Sequence, residues 1–302
     1  MEGQIVASGL TKQYPKVRAV DDLSFVVESG RVTGFLGPNG SGKTTTLRMM
    51  LNLVTPTRGT ATIGGARYAD LAEPMGTVGA VLEASSAHKG RTGRNHLRVV
   101  CAAAGYPERR ADEVLDLVGL TPAAKRKFKG YSLGMRQRLA IASAMLGDPR
   151  VLILDEPANG LDPEGIRWMR EFLRAFAQQG RTVFVSSHLL SEMEQLADDV
   201  IIIAAGRMVR QGRVNEIVDG MSHADRIRVR TPNVEALTSE LLRVGAVVNA
   251  DGSGALQVTG VDAPTVGRAA LTAQAELHEL VAEKPDLEDV FLQLTQGKAG
   301  IR

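Results

Sequence analysis

The chain has 302 residues, of which 44% are hydrophobic and 23% are charged, a composition that excludes a disordered or fibrous protein. Its 36 basic and 34 acidic residues are interspersed and leave a formal net charge of +2, which excludes a broad cationic field for nucleic acid. The single cysteine, Cys101, excludes an internal disulfide and lies in an apolar stretch typical of a packed interior in a reducing compartment.

The first residues, MEGQIVASGLTKQYPK, lack the basic start and the apolar core of a signal peptide. No apolar run in the sequence approaches the ~20 residues that are needed to span a bilayer. We therefore expect any membrane-spanning segment to belong to another chain.

Short apolar runs then alternate with helical patterns. Val32 to Leu36 ends at a glycine, residues 151–154 end at two acids, and further buried strands are predicted at residues 182–186 and 200–204. Because special residues follow the carboxyl ends of these strands, the pattern indicates an α/β domain with a mainly parallel sheet. Residues from about 85 to 150 carry helical patterns, which predicts a helical insertion.

The pattern changes near residue 220, which predicts a first domain at residues 1–220 and a smaller one at residues 221–302. The predicted elements of the smaller domain follow a βαββαβ order, which indicates a small α+β ferredoxin-like fold. In chain order they are residues 226–230, 234–244, 246–250, 255–259, 264–273 and 276–282. A last amphipathic helix at residues 286–294 is predicted to bury Leu287, Val290, Phe291 and Leu294.

A phosphate-binding loop is predicted where the pattern G-x-x-x-x-G-K-[ST] follows a strand and precedes a helix. Its backbone amides would wrap a phosphate, Lys43 would supply charge to the outer phosphates, and the Thr44 hydroxyl would ligate Mg²⁺. A glycine-rich turn without a ligand is the alternative. The loop comprises Gly37, Pro38, Asn39, Gly40, Ser41, Gly42, Lys43 and Thr44.

Two adjacent carboxylates, Asp155 and Glu156, end the apolar run at residues 151–154. Such a placement is costly unless a cation or a reacting group uses the acids. Asp155 suits a Mg²⁺ ligand, and Glu156 suits a general base that activates the water attacking in phosphoryl transfer. The alternative is a strand that simply ends at a polar loop.

Residues 131–139, YSLGMRQRL, resemble the signature of the ABC transporter ATPases, whose common form is L-S-G-G-Q followed by Q-R. Ser132 also suits the N-cap of the apolar helix at residues 139–146, and capping alone is the alternative interpretation. The resemblance covers about residues 5–219 and implies a P-loop NTPase fold, with a RecA-like core and a helical subdomain at about residues 85–150. It implies that Ser132 and Gly134 bind the γ-phosphate of ATP held by a second copy, in a head-to-tail dimer.

Two more motifs match the same family. Residues 159–162, NGLD, resemble its D-loop, which implies that Asp162 lies at the nucleotide. His188 follows the predicted strand at residues 182–186 and resembles the switch histidine that contacts the γ-phosphate, so Lys43, Glu156 and His188 are the implied catalytic residues. For the histidine alone, a structural or exposed position is the alternative.

Further nucleotide contacts follow from the resemblance. Tyr14 resembles the aromatic residue that stacks on adenine, although a loop tyrosine also suits simple packing. Thr45 would join Thr44 at the phosphates. Glu83 stands where most relatives have glutamine, and its carboxylate still suits the nucleotide's Mg²⁺.

Glu83 and the YSLGM form resemble the exporter branch that includes bacteriocin-immunity and antibiotic-resistance ATPases. This implies an ATPase with Mg²⁺ as cofactor that powers separate transmembrane permease subunits from the cytoplasmic face of the membrane, for drug, antibiotic or peptide cargo and without nucleic acid. The terminal module resembles the accessory domain often appended in that branch. The alternatives are a soluble ABC ATPase acting on a ribosome or DNA and a regulatory module without turnover.

A basic run, KRKFK at residues 125–129, precedes the signature. Anionic lipid headgroups or a permease are candidate partners for it, and a solvated loop is the alternative.

Overall fold

The computed structural model describes residues 3–82, 87–219, 226–250, 254–283, 287–288 and 290–291. The chain divides into two compact units between Val214 and Asn215, whereas the sequence predicts this boundary at residue 220. Within the described ranges, no helix combines the length and the apolar character that crossing a membrane requires.

The first unit alternates strands and helices, and the strands predicted at residues 32–36, 151–154, 182–186 and 200–204 are confirmed. The helix α8 (Val214–Asp219) begins at the boundary residue Val214. The preceding elements are β1 (Ile5–Gln13), β2 (Arg18–Val27), β3 (Val32–Leu36), α1 (Lys43–Met50), β4 (Arg58–Ile63), α2 (Pro74–Thr77), β5 (Val78–Val81), α3 (Gly93–Ala104), α4 (Arg109–Leu117), α5 (Leu133–Ala144), β6 (Val151–Asp155), α6 (Pro163–Gln178), β7 (Thr182–Ser187), α7 (Leu190–Leu196), β8 (Asp199–Ala204) and β9 (Arg207–Arg213).

The central sheet has the strand order β5-β6-β7-β3-β8-β9. Every neighbouring pair is parallel except β8 and β9, so the predicted mainly parallel sheet is confirmed. Since parallel strands end at one edge, the residues that follow Leu36, Asp155 and Ser187 lie close together. This edge holds the candidate active site.

A second sheet of the first unit is antiparallel, with the order β2-β1-β4, and the sequence pattern did not predict it. Three phenylalanine rings join it to the central sheet. Phe25 of β2 lies 5.6 Å from both Phe35 of β3 and Phe184 of β7, and the latter two are 5.1 Å apart, measured between ring centroids. These distances are typical of favourable aromatic pairs, so the cluster fixes the two sheets against each other.

Helices dominate the described residues between β5 and β6, where the sequence predicts a helical insertion. Cys101 of α3 is fully buried, as predicted. The prediction of a helix at residues 139–146 was wrong at both ends, because α5 begins at Leu133 and ends at Ala144. Its start is fixed by Ser132, whose hydroxyl accepts a hydrogen bond from the Met135 N–H at 3.2 Å.

The second unit has the predicted βαββαβ order. Its elements are β10 (Arg226–Arg230), α9 (Val234–Arg243), β11 (Val247–Ala250), β12 (Leu256–Thr259), α10 (Ala263–Thr272) and β13 (Glu279–Glu283). The strands form an antiparallel sheet ordered β11-β12-β10-β13, the ferredoxin-like arrangement. The apolar core includes Ile227, Leu237, Val258 and Val266, all of which are fully buried.

Two details of this unit differ from the predictions. The last strand begins at Glu279 rather than at residue 276. In the predicted terminal helix Leu287 and Val290 are buried, but Phe291 is only half-buried, and Leu294 lies outside the described residues.

Candidate active site

The loop at residues 37–42 joins β3 to α1 and is shaped for an anion. Gly42 has a φ of 104°, and a Cβ there would lie 2.4 Å from the carbonyl oxygen of Ala19, so only glycine fits. Helix α1 then begins at Lys43 with no side-chain cap and no acidic residue in its first turn. Its first N–H groups and the positive end of its dipole therefore favour a phosphate at this point.

Lys43 turns back over this loop. Its side chain is 6% exposed, and Nζ donates a hydrogen bond to the Gly37 carbonyl oxygen at 2.6 Å. The same nitrogen lies 3.3 Å from Oε1 of Glu156. A buried ammonium group at the start of a helix adds a positive charge where the loop already favours phosphate.

The neighbouring Thr44 contacts the first predicted acid. Its hydroxyl donates to Oδ2 of Asp155 at 2.6 Å, while the Ser186 hydroxyl donates to the other oxygen, Oδ1. In the described residues no group of three or more His, Cys, Asp or Glu side chains could hold a metal by itself. The oxygens of Thr44 and Asp155 nevertheless fit Mg²⁺, which binds few protein oxygens and takes its other ligands from phosphates and water.

Glu156 has an unusual backbone, with a φ of 49° that non-glycine residues rarely adopt. Its N–H holds this conformation by donating to the Ser186 carbonyl oxygen at 3.2 Å and to the Ser186 hydroxyl at 3.0 Å. Its carboxylate meets Lys43 through one oxygen and His188 Nδ1, at 2.7 Å, through the other. The structure thus brings the three predicted catalytic residues, Lys43, Glu156 and His188, into direct contact.

Sequence reasoning missed Ser186, which it treated only as the end of a strand. The side chain is fully buried and hydrogen-bonds both to the carboxylate of Asp155 and to the backbone of Glu156. It reaches them because β6 and β7 pair with Asp155 opposite Ser186. A serine at the end of an otherwise apolar strand is the only signal that the sequence offered.

The signature and the D-loop lie against each other. Ser132, Gly134 and Asp162 line one cavity of about 470 Å³. A Cβ at Gly160 would lie 2.5 Å from Cδ2 of Leu133, which shows how closely the two motifs approach. Asp162 caps α6 by accepting the Gly165 N–H at 2.8 Å.

None of residues 37–44, all of which the structure describes, lines that cavity. The structure therefore brings Ser132, Gly134 and Asp162 together but does not bring them to the phosphate loop of the same chain. Tyr131 beside them is anchored, because its hydroxyl donates to the Ala123 carbonyl oxygen at 2.9 Å and burial raises the pKa of its phenol.

The other predicted nucleotide contacts vary in placement. Asn39 and Gly40 are exposed at the loop tip, Ser41 is buried, and Thr45 is half-buried in the first turn of α1. Tyr14 lies in the turn after β1, and one face of its ring meets the Lys12 ammonium at 5.2 Å, so its stacking on adenine stays a prediction. Glu83 lies outside the described residues.

Comparison with known proteins decides the family. A family described as ABC transporter matches residues 20–159. An uncharacterized ABC transporter ATP-binding protein of Bacillus subtilis (strain 168), YhcH, is 37% identical over 98% of this chain and 97% of the relative. The chain belongs to the ABC transporter ATP-binding proteins. This ABC protein is therefore an ATPase coupled to transport.

Two further comparisons cover most of this ABC protein. The daunorubicin/doxorubicin resistance ATP-binding protein DrrA of Streptomyces peucetius is 35% identical over 99% of this chain and 94% of the relative, in agreement with the predicted exporter branch. A solved structure of an ATP-binding subunit of an ABC transporter covers 72% of this chain and 92% of its own, with a TM-score of 0.64 and 29% identity. Residues 225–288 match a family described as a domain of unknown function.

Proposed function

We propose that this ABC protein is the ATP-hydrolysing subunit of an exporter of drug, antibiotic or peptide cargo. Separate transmembrane subunits would carry the cargo, and this chain would act on them from the cytoplasmic face of the membrane. The observation that carries the proposal is the contact of Glu156 with both Lys43 and His188 beside the Thr44 and Asp155 pair. The relation to a drug-resistance ATP-binding protein supports the cargo class.

Each residue of the cluster has a separate part in hydrolysis. The α1 N-terminus and Lys43 bind the terminal phosphates. They thereby hold the γ-phosphorus in position for in-line attack. Glu156 accepts the proton of the attacking water, and ADP and inorganic phosphate are the products. His188 positions the Glu156 carboxylate through their 2.7 Å contact. Bound Mg²⁺, held by Thr44 and Asp155, would neutralise phosphate charge.

We infer a head-to-tail pair of chains, which the family resemblance implies and the position of the signature supports. The phosphate loop of the same chain does not line the cavity that contains Ser132 and Asp162. The capped start of α5 does line it, and an anion is favoured there. A second copy can bring its own bound ATP to that helix start. We infer that ATP joins the two copies and that this closed state moves the membrane subunits, because ATP bridges only the closed state.

In this scheme residues 1–220 form the ATPase domain and residues 221–302 form an accessory domain. The four-stranded sheet and the apolar core of the second unit support its folding as a separate module.

The test is recovery of the membrane partner. Tagged Glu156→Gln chain with ATP and Mg²⁺, which holds the dimer closed, is added to detergent-solubilised membranes, and the recovered proteins are identified. Lys43→Ala chain serves as the control, because it lacks the cation that binds the phosphates. We expect a polytopic membrane protein whose recovery requires ATP and fails with Lys43→Ala. Reconstituted with the wild-type chain, which hydrolyses ATP, that protein should move cargo across vesicles. Recovery of ribosomes or DNA instead would contradict the proposal.

A further inference from the structure

The proposed function leaves the basic run at residues 125–129 without a role. In the structure this run pairs with residues 88–94. The Phe128 N–H donates to the Arg91 carbonyl oxygen at 2.8 Å, and the Lys129 N–H donates to the Lys89 carbonyl oxygen at 3.1 Å. Thr92 and Lys127 also form an antiparallel bridge. Two segments that are distant in sequence therefore place their side chains on adjoining stretches of one surface.

These paired segments form what we name the basic surface. All of its side chains are exposed, and in the part of the chain that the structure describes none of them forms an ion pair. Nearby acids are engaged elsewhere, Asp112 with Arg94 and Glu108 with Arg98. The basic surface consists of Lys89, Arg91, Lys125, Arg126, Lys127 and Lys129.

The small net charge of the whole chain does not reveal how positive this region is. Residues 87–131 contain ten basic and four acidic residues, a net of +6, whereas the whole chain has a net charge of +2. Charges that are this close together repel one another, and a nearby anionic surface relieves that repulsion. The concentration of like charge therefore favours binding to an extended anion.

The kind of side chain indicates which anion is favoured. Four of the six cations are lysines, whose ammonium groups act as flexible point charges suited to many loosely placed phosphates. The two aromatic residues in and beside the basic run, Phe128 and Tyr131, are each 3% exposed, so neither ring is available for stacking on nucleic-acid bases. Clusters of four to eight basic residues are typical of contact with anionic lipid headgroups.

We propose that the basic surface binds the anionic phospholipid headgroups of the membrane beside which this subunit works. The proposal rests on the proposed function for the presence of that membrane, whereas the charge itself is a property of this chain alone. The lipid contact would hold the helical region of the ATPase near the bilayer independently of any protein partner.

Co-sedimentation of the purified full-length chain with vesicles tests this, without nucleotide or permease. Vesicles of phosphatidylcholine alone are compared with an equimolar mixture of phosphatidylcholine and phosphatidylglycerol, at low and at physiological salt. Binding is expected only to the anionic vesicles and is expected to weaken with salt, because counterions screen exposed charges. Equal binding to both kinds of vesicle, or no binding to either, would overturn the proposal.

A triple variant, Lys125→Gln with Lys127→Gln and Lys129→Gln, locates the contact. Each basic residue near an anionic surface contributes about fivefold, so its vesicle partitioning should fall by at least about tenfold. The matched control, Lys16→Gln with Arg58→Gln and Arg210→Gln, removes the same charge from exposed positions elsewhere and should keep wild-type binding. An equal loss in both variants would mean that net charge alone drives binding, which contradicts a defined surface.

Two further measurements separate the lipid proposal from its alternatives. One tests binding to a different partner, and the other tests the proposed function through ATP hydrolysis. Should the triple variant lose binding to a single-stranded oligonucleotide or an acidic peptide while vesicle binding persists, the surface serves another partner and the lipid proposal fails. ATP hydrolysis is measured in parallel. Normal hydrolysis without vesicle binding contradicts only the lipid contact, whereas vesicle binding without hydrolysis contradicts only the proposed function.

Discussion

The ammonium nitrogen of Lys43 lies 3.3 Å from Oε1 of Glu156, so the proposed phosphate-binding cation and the proposed general base are ion-paired. Both side chains are largely shielded, at 6% and 20% exposure, and their attraction is therefore stronger than that of a surface pair. A phosphate that binds Lys43 competes with the Glu156 carboxylate for the same charge. Nucleotide binding at Lys43 and release of the Glu156 carboxylate from its ion pair are thereby linked through one contact.

The first prediction concerns Glu156→Gln. The amide keeps the shape of the side chain but cannot accept the proton of the attacking water, so hydrolysis should fall by about 10²–10⁴-fold. ATP binding should persist, and the variant should accumulate as a dimer with ATP. Steady-state phosphate release and size-exclusion chromatography measure the two effects. Glu171→Gln, an exposed residue of α6, is the matched control. Undiminished turnover in Glu156→Gln would refute its assignment as the base.

The second prediction concerns Lys43→Ala. Loss of a charged donor to phosphate should weaken ATP affinity by about 10–100-fold, the usual value of such a contact. Equilibrium binding of a fluorescent ATP analogue measures it, with Arg210→Ala at an exposed position of β9 outside the predicted site as the control. An unchanged affinity would contradict the phosphate-loop assignment.

The third prediction concerns Ser186→Ala. Its hydroxyl orients the Asp155 carboxylate and holds the strained backbone of Glu156. Without it, the Asp155 carboxylate and the Glu156 N–H each lose one hydrogen bond, while those to Thr44 and to the Ser186 carbonyl oxygen remain. Turnover should fall by about 10–100-fold, the value of a hydrogen bond to a charged group. Since Asp155 is the proposed Mg²⁺ ligand, the Mg²⁺ concentration for half-maximal hydrolysis should rise. ATPase rates across a Mg²⁺ titration measure both changes.

Thr182→Val on the same strand is the matched control for Ser186→Ala. The Thr182 hydroxyl is buried and makes no hydrogen bond within the described residues, so its loss should leave the Mg²⁺ dependence unchanged and stability equal or higher. If both variants lower turnover alike and neither alters the Mg²⁺ requirement, Ser186 has only a packing role.

Ser186 also shows where sequence reasoning ends at this site. Lys43, Thr44, Asp155 and Glu156 were predictable, because each lies where one strand or one helix begins or ends and the chemistry is local. Ser186 lies 30 residues from Glu156 and meets it only through the parallel pairing of β6 and β7. A single sequence does not specify such a register, because β7 is buried along its whole length and lacks an alternating pattern.

The fold, like the site, was predictable only in part. The buried strands were predictable because they are short, continuous apolar runs between glycines and acids. The sheet of β1, β2 and β4 was not, because β1 pairs with register shifts after Ala7 and Ser8 and its burial does not alternate regularly. The start of β13 was placed too early, at residue 276 rather than at Glu279, because the apolar Leu277 lies close to the apolar run at residues 280–282.

The last prediction concerns His96 of α3. Burial, and then repulsion from Arg91, lowers the pKa of its imidazole below the ordinary value of 6.5. One ring nitrogen lies 3.4 Å from the Ser143 hydroxyl, and the other is buried without a hydrogen-bond partner in the described part of the chain. The folded protein therefore favours the neutral ring.

Below about pH 6.5 the unfolded chain binds a proton that the folded chain does not, so the free energy of unfolding should fall as the pH drops from 6.5 towards the lowered pKa. The slope from one such proton is about 1.4 kcal/mol per pH unit at most. His96→Gln removes this contribution, so the stability of the variant relative to wild type should increase at low pH. Urea unfolding between about pH 5 and about pH 8 measures it, with the exposed His88→Gln as control. A constant difference between wild type and His96→Gln across that range would show that His96 titrates equally in both states.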